Sequence, residues 1–255
     1  MAKQYWLIGA SSGIGRALAL ELLKQGHHVA LTARRQSQLD EIAAGYPQQT
    51  RVLPADVTVL AELQAAFTAL TQDGRKVDSV IMNAADYEPM RLEDFDPELF
   101  ARLMQVNFQG VVNGIATVRE YMQQNGGEIA ITASVAGYRG LPYAAPYGAS
   151  KAALINMAES LAPEFARYGV AIRVINPGFV RTALTEKNNF AMPGRIEPEQ
   201  AAALIAKRLQ RGGFELLIPR GFGLLMKLIR LMPNRLFLAL TAKALKPQGE
   251  SPKRD

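Results

Sequence analysis

Apolar residues follow two alternating rhythms along this chain. Short apolar runs occur at Tyr5–Ile8, Val29–Ala33, near Arg51–Leu53, and at Val77–Met82, Glu128–Ser134, Val170–Asn176 and Phe214–Ile218. Runs of this length, rich in β-branched and aliphatic residues and bounded by Gly, Pro or Asp, predict buried strands. Between them apolar positions recur at helical spacing: through Leu18, Leu22 and Leu23 to Gly26, from about Thr58 to Leu70, from Asp96 to about Gln124, from Tyr147 onward, and from Pro198 to about Gln210. Asp96 followed by Pro97 has the residue types of an N-cap and a first helical position. Strands alternating with helices predict an α/β architecture.

Composition narrows this picture. A chain of 255 residues, 49% of them hydrophobic, is long enough to bury one full core as a doubly wound or barrel domain. The absence of cysteine excludes disulfides, thiolate metal sites and a cysteine nucleophile. Met1–Gln4 and the short run after it lack the long apolar stretch and small-residue cleavage site of an export signal, so a cytoplasmic location is expected. The net charge of +6 is local. From Pro219 to Asp255, eight basic residues face only Glu250 and Asp255, which accounts for all of it. A nucleic-acid binder would spread a basic stripe over its folded surface, so no nucleic-acid partner is expected.

The chemistry begins at Gly9-Ala10-Ser11-Ser12-Gly13-Ile14-Gly15, between the first strand and the first helix. Glycines there permit a tight turn and close backbone approach, while the free amides at a helix N-terminus suit a pyrophosphate. The second strand ends in Arg34-Arg35, with no acidic residue at the place where one would bind a ribose 2′-hydroxyl. Guanidinium groups bind phosphate bidentately, so the pair points to NADP(H). His27 and His28 are adjacent, point opposite ways in a strand and suggest neither a metal ligand nor a catalyst; no metal site is expected. Asn107 lies in an apolar helical stretch, where it is either a structural anchor or a water-holding group. Ser134 ends a strand at the edge that faces the ligand crevice in open α/β sheets. Thirteen residues later Tyr147 and Lys151 share one helical face. A neighbouring ammonium is expected to lower the phenol pKa and allow proton exchange with a substrate oxygen.

Gly9-x-x-x-Gly13-x-Gly15, Asp56-Val57, Asn83-Ala84, Asn107, Ser134, Tyr147, Lys151 and Pro177-Gly178-x-Val180-x-Thr182 occur in an order and spacing that resemble the short-chain dehydrogenase/reductase family, over roughly residues 5 to 218. The resemblance implies a Rossmann-type, doubly wound, mostly parallel seven-stranded sheet with helices on both faces. It implies hydride transfer between a nicotinamide and a carbonyl or alcohol carbon, with Tyr147 as acid or base. Lys151 would tune the tyrosine and bind the nicotinamide ribose, Ser134 would polarise the substrate oxygen, and Asn107 would hold a water. The cofactor contacts it implies are Gly9, Ser11, Ser12, Gly13, Ile14, Gly15, Arg34, Arg35, Asp56, Val57, Asn83, Ala84, Tyr147, Lys151, Pro177, Gly178, Val180 and Thr182. Met82 and Ala85 replace the first asparagine and the glycine of the family's Asn-Asn-Ala-Gly, and Pro163 falls inside the helix that often forms the family's dimer interface.

Residues 1–218 are thus expected to form the catalytic domain, 219–247 a basic helical extension, and 248–255 a disordered tail. The extension reads as two short amphipathic helices divided by Pro233, with Lys227 and Arg230 opposite a broad apolar surface. Three places for it are open: over the active-site cleft, against a second subunit of a homo-oligomer, or in the interface of a membrane's inner face through 221–246. Tyr138, Leu141, Tyr143, Phe179, Leu184, Phe190 and Met192 border the expected cleft and suggest a small apolar carbonyl or alcohol substrate. A dinucleotide-binding sensor or scaffold acting through the C-terminal segment is the alternative.

Overall fold

The structure is a computed structural model describing residues 2–188 and 192–245. Phe190, Lys246 and the 248–255 tail lie outside the described residues.

Seven strands form one sheet: β1 (Gln4–Ile8), β2 (His28–Thr32), β3 (Thr50–Val52), β4 (Ser79–Met82), β5 (Gly127–Thr132), β6 (Val170–Pro177) and β7 (Glu215–Ile218). Their order is β3-β2-β1-β4-β5-β6-β7, and every pairing is parallel. Side-chain alternation along each strand divides the core in two. Trp6 and Ile8, Val80 and Met82, Ile129 and Ile131, and Ile172 and Val174 enter one apolar cluster. Tyr5 and Leu7, Ile81, Ala130 and Ile175 enter the other. Strands buried on both faces need continuous apolar runs, which is why the sequence signals them so plainly.

Helices α1 (Gly13–Lys24), α2 (Gln36–Ala44) and α7 (Pro198–Arg211) cover the face of Tyr5 and Leu7. Helices α3 (Leu60–Thr71), α5 (Gly110–Asn125) and α6 (Ala145–Ala166) cover the face of Trp6 and Ile8. Strand order reverses between β1 and β4, so a crevice opens at their carboxyl ends.

Two details depart from the sequence-based reading, and two more concern Pro163 and Met82. Helix α2 was not signalled, because only Leu39 and Ile42 are buried on its otherwise polar surface. The long helix from Asp96 is broken: α4 (Pro97–Met104), capped by the Asp96 carboxylate accepting from the Glu98 amide at 2.8 Å, passes into a π-turn over Gln105–Gln109 before α5 begins. Pro163 lies inside α6, where the sequence places it, and the helix continues to Ala166 and buries Phe165. The Met82 side chain lies against Gly114 of α5, where a Cβ would meet the Met82 sulfur at 2.5 Å.

After β7 and a cis Ile218–Pro219 bond come α8 (Arg220–Arg230) and α9 (Asn234–Ala244), separated at Pro233 as the sequence predicts. Their orientation corrects the expectation. Gly223 and Met226 face inward, and Lys227 turns to the sheet edge to pair with Glu215. It is the leucines Leu224, Leu225, Leu228 and Leu231 that face out. No helix among the described residues is long and apolar enough to cross a membrane.

Candidate active site

The glycine turn sits at the carboxyl end of β1. Gly9 has φ +91°, and a Cβ on it would meet the Ala84 backbone nitrogen at 2.4 Å; one on Gly15 would meet the Gly9 carbonyl oxygen at 1.9 Å. These two positions are glycine because α1, β1 and the segment after β4 are packed backbone to backbone. Asn83 fastens the same junction, donating to the Gly9 carbonyl at 3.1 Å and accepting from the Thr132 hydroxyl at 3.2 Å. Ser12 is the N-cap of α1 but makes no side-chain cap. The first-turn amides of Gly13, Ile14 and Gly15 therefore keep the unfilled donors of a helix start. Thr182 closes over them: its methyl lies 3.0 Å from where a Gly13 Cβ would be.

Arg35 folds back over this turn and donates to the Ser11 and Ser12 hydroxyls at 3.0 and 3.1 Å. Arg34 stands exposed at the end of β2, 3.9 Å from the Asp56 carboxylate. Asp56 is held in turn by the amide and hydroxyl of Thr58, at 2.9 and 2.8 Å. Val57 is buried against Gly110, and its carbonyl accepts from Asn113 at 2.9 Å. Free helix amides flanked by two guanidinium groups fit a dinucleotide that carries a third phosphate. Pro177 and Gly178 end β6 on the same side, with the Gly178 amide tied to the Ile218 carbonyl at 2.7 Å, and Val180 bridges to Ile196.

The acid-base group lies across the crevice. Ser134 leaves β5 buried; its hydroxyl accepts from the Ala136 amide at 3.1 Å and donates to the Pro177 carbonyl at 3.4 Å. Lys151 is 1% exposed, donates to the Thr132 carbonyl at 2.8 Å and stands 5.6 Å from the Tyr147 ring centre. Burial lowers its pKa to about 7. Tyr147 does not show the expected depression. Burial pushes its pKa up to about 12, opposed by a side-chain hydrogen bond with Ser134. Desolvation is the larger of these two effects.

Asn107 is fully buried within the π-turn. Its side chain accepts from the Asp86 amide at 2.7 Å, donates to the Asp86 carbonyl at 2.9 Å, and donates to the Ser150 hydroxyl at 3.0 Å. Ser150 passes the contact to the Tyr147 carbonyl at 2.7 Å. Three of the four hydrogen-bonding capacities of that amide are thus engaged in anchoring, and one lone pair of Oδ1 remains, so both readings of this residue stay open. The π-turn supplies the inward rotation that brings the amide to Asp86.

Two features were not legible in the sequence. Tyr87 stacks edge-on to Tyr147, ring centres 4.9 Å apart, and its hydroxyl meets Asn188 while Lys187 donates to its carbonyl at 2.8 Å. This loop residue carries no local signal, since nothing in its neighbourhood distinguishes it from any half-buried aromatic. Tyr138, expected at the cleft, instead bonds Glu215 and accepts from Asn176 at 2.9 Å beneath α8. Tyr143 is placed by a left-handed backbone, φ 62°, and its carbonyl accepts from the Met90 amide at 2.9 Å.

A reversing parallel sheet with a glycine turn, paired arginines and a Ser-Tyr-Lys cluster around one crevice defines a Rossmann-type α/β protein with acid-base capacity. The sequence profile of short chain dehydrogenases matches residues 3–192, and the chain belongs to that family of oxidoreductases. An uncharacterized oxidoreductase of Myxococcus xanthus is 33% identical over 238 residues, 90% of this chain and 92% of the relative. One from Staphylococcus epidermidis is 33% identical over 202 residues, covering 79% and 88%. Among solved structures, a short-chain dehydrogenase from Streptomyces avermitilis superposes with TM-score 0.80 at 24% identity, covering 96% of this chain and 98% of that one. An alcohol dehydrogenase from Thermococcus sibiricus complexed with 5-hydroxy-NADP gives TM-score 0.76 at 25% identity, covering 85% and 96%.

Proposed function

We propose that the protein is an NADP(H)-dependent reductase of apolar carbonyl compounds, or the corresponding alcohol dehydrogenase. The observation that carries this reading is the pair of arginines, one exposed at the end of β2 beside Asp56 and one folded over Ser11 and Ser12, on the crevice that also receives Ser134 and Tyr147. Two cations beside unfilled helix amides favour an extra phosphate, and the end of β2 lacks the acidic residue that would favour a ribose hydroxyl. The NADP complex of the Thermococcus relative is consistent with this choice.

A bound reduced nicotinamide supplies the hydride for the carbonyl carbon. Tyr147, protonated at neutral pH because burial holds its pKa near 12, donates its proton to the oxygen on which charge develops. Ser134 holds that oxygen by a hydrogen bond, and Lys151 restores the tyrosine's proton from its own ammonium or steadies the cofactor ribose. Ser134, Tyr147 and Lys151 are the catalytic residues of this reading. Asn107 positions Tyr147 through Ser150.

Stopped or steady-state turnover of NADPH with a panel of aldehydes and ketones tests it. Tyr147→Phe is expected to reduce kcat by about 100-fold or more with NADPH affinity preserved. Arg34→Asp together with Arg35→Asp is expected to move the preference from NADPH toward NADH. Equal turnover in Tyr147→Phe, or tight NADH binding by the unaltered protein, would refute the two halves separately.

A further inference from the structure

Helices α8 and α9 are eleven residues each, about 16 Å long at helical rise, and are tied to the body on one side only. The inner side is well anchored. Phe222 packs on Phe179, Lys227 pairs with Glu215, and Arg139 donates to the Met232 carbonyl at 3.0 Å and to Asn234 at 2.9 Å while lying 4.5 Å over the Phe237 ring. The outer side has no such reason for its composition. Leu224, Leu228 and Leu231 lie at i, i+4 and i+7 on one face of α8, the last two 67% and 80% exposed, and Leu236 and Leu240 repeat the spacing on α9. Contiguous exposed leucines on this scale mark an interaction surface.

Charge identifies the partner. Between residues 220 and 245 there are five cations and not one Asp or Glu. Lys227 is spent on Glu215, while Arg220, Arg230, Arg235 and Lys243 are exposed. A second copy meeting this chain through the same patch would bring four cations from each side together with no carboxylate of the segment between them, which is self-repelling. An anionic bilayer satisfies both halves of the pattern, since acyl chains take the leucines and headgroup phosphates take the cations. Neither helix can span, so they must lie in the plane of the surface.

We propose that the outward face of α8 and α9 docks the protein on an anionic membrane surface. Leu228 and Leu231 enter the acyl boundary, and Arg235 and Lys243 hold the headgroups. The anchoring of the inner side means that docking needs no rearrangement of the catalytic body.

Co-sedimentation of the full chain with vesicles tests this. Vesicles of equal phosphatidylglycerol and phosphatidylcholine are expected to bind it, pure phosphatidylcholine to bind it far less, and 0.5 M salt to release it, that concentration shortening the screening length to about 4 Å. Leu228→Glu with Leu231→Glu is expected to abolish binding, and Arg235→Glu with Lys243→Glu to weaken it about tenfold or more, both with unchanged NADPH affinity and melting temperature. Absence of binding to phosphatidylglycerol vesicles, or equal binding by both double variants, would overturn the proposal. So would light scattering that shows, without lipid, a larger assembly of the unaltered chain broken to protomers by the leucine variant. NADPH turnover on a water-soluble ketone without vesicles is read separately, so a failure of the reductase reading is distinguishable from a failure of docking.

Discussion

Replacing Lys151 by methionine should change how the stability of this protein depends on pH. The lysine is 1% exposed and its pKa falls from an ordinary 10.5 to about 7 through burial. In the unfolded chain it keeps its proton up to about 10.4. Between the two values the unfolded state binds more protons than the folded one, so stability must rise with pH across that window and level off below it. One group contributes at most about 1.4 kcal/mol per pH unit, so from pH 7.5 to 9.5 the gain approaches about 2 to 3 kcal/mol. Tyr5, Tyr87 and Tyr147, pushed up to about 12 in the fold, begin to lose protons only in the unfolded chain as pH nears 10, which lowers stability slightly there, but this happens in both proteins and cancels in the difference between them. Urea unfolding of the unaltered protein and of Lys151→Met at pH 7.5, 8.5 and 9.5 isolates the contribution as the difference between the two. A difference that stays constant to within about 0.5 kcal/mol would show that the folded ammonium keeps its ordinary pKa, against the effect of desolvation. Titration of the Lys151 ε-carbon resonance in the unaltered protein gives the same test without a variant.

Other outcomes follow from the same geometry. Gly15→Ala, whose Cβ would stand 1.9 Å from the Gly9 carbonyl oxygen, should cost about 3 kcal/mol or more, while Gly140→Ala, with nothing within 4 Å, should be near neutral by thermal denaturation. Because Tyr147 is an acid near 12, alcohol oxidation, which needs its phenolate, should accelerate steadily from pH 7 to 10; kcat/KM for carbonyl reduction should show no such rise. Tyr138→Phe removes an acceptor from buried Asn176 and a donor from Glu215, and should lower stability by about 1 to 3 kcal/mol with turnover retained, as read by denaturation and a ketone assay together.

The strands were readable because burial on both faces forces unbroken apolar runs, as at Trp6–Ile8 and Ile129–Ile131. Helix α2 was not, since only two large apolar residues in nine, Leu39 and Ile42, leave no period to detect. In the site, positions fixed by backbone demands were the clearest: Gly9 and Gly15 could hold no other residue without collision. Lys151 and Tyr147 were readable as a pair, but the direction of the tyrosine's shift depends on how deeply the surrounding fold buries it, which spacing does not contain. Tyr87 and Tyr138 show the same limit from either side. Both are loop tyrosines; one packs on Tyr147 and the other on Glu215, and only the path of the intervening chain decides which.

Glu215 accepts from Tyr138 and, at 2.7 Å, from Asn176, and pairs with Lys227. Those partners come from the segment after β5, from β6 and from α8, so the carboxylate is complete only once three distant stretches are in place. During synthesis the first two emerge well before the last. A chain ending before residue 222 would hold a carboxylate at the sheet edge lacking its ammonium, and Gly178 without Phe222 against it. The closing helix therefore completes the charge balance of the sheet edge, and a chain truncated before α8 is expected to unfold at lower temperature than the full chain.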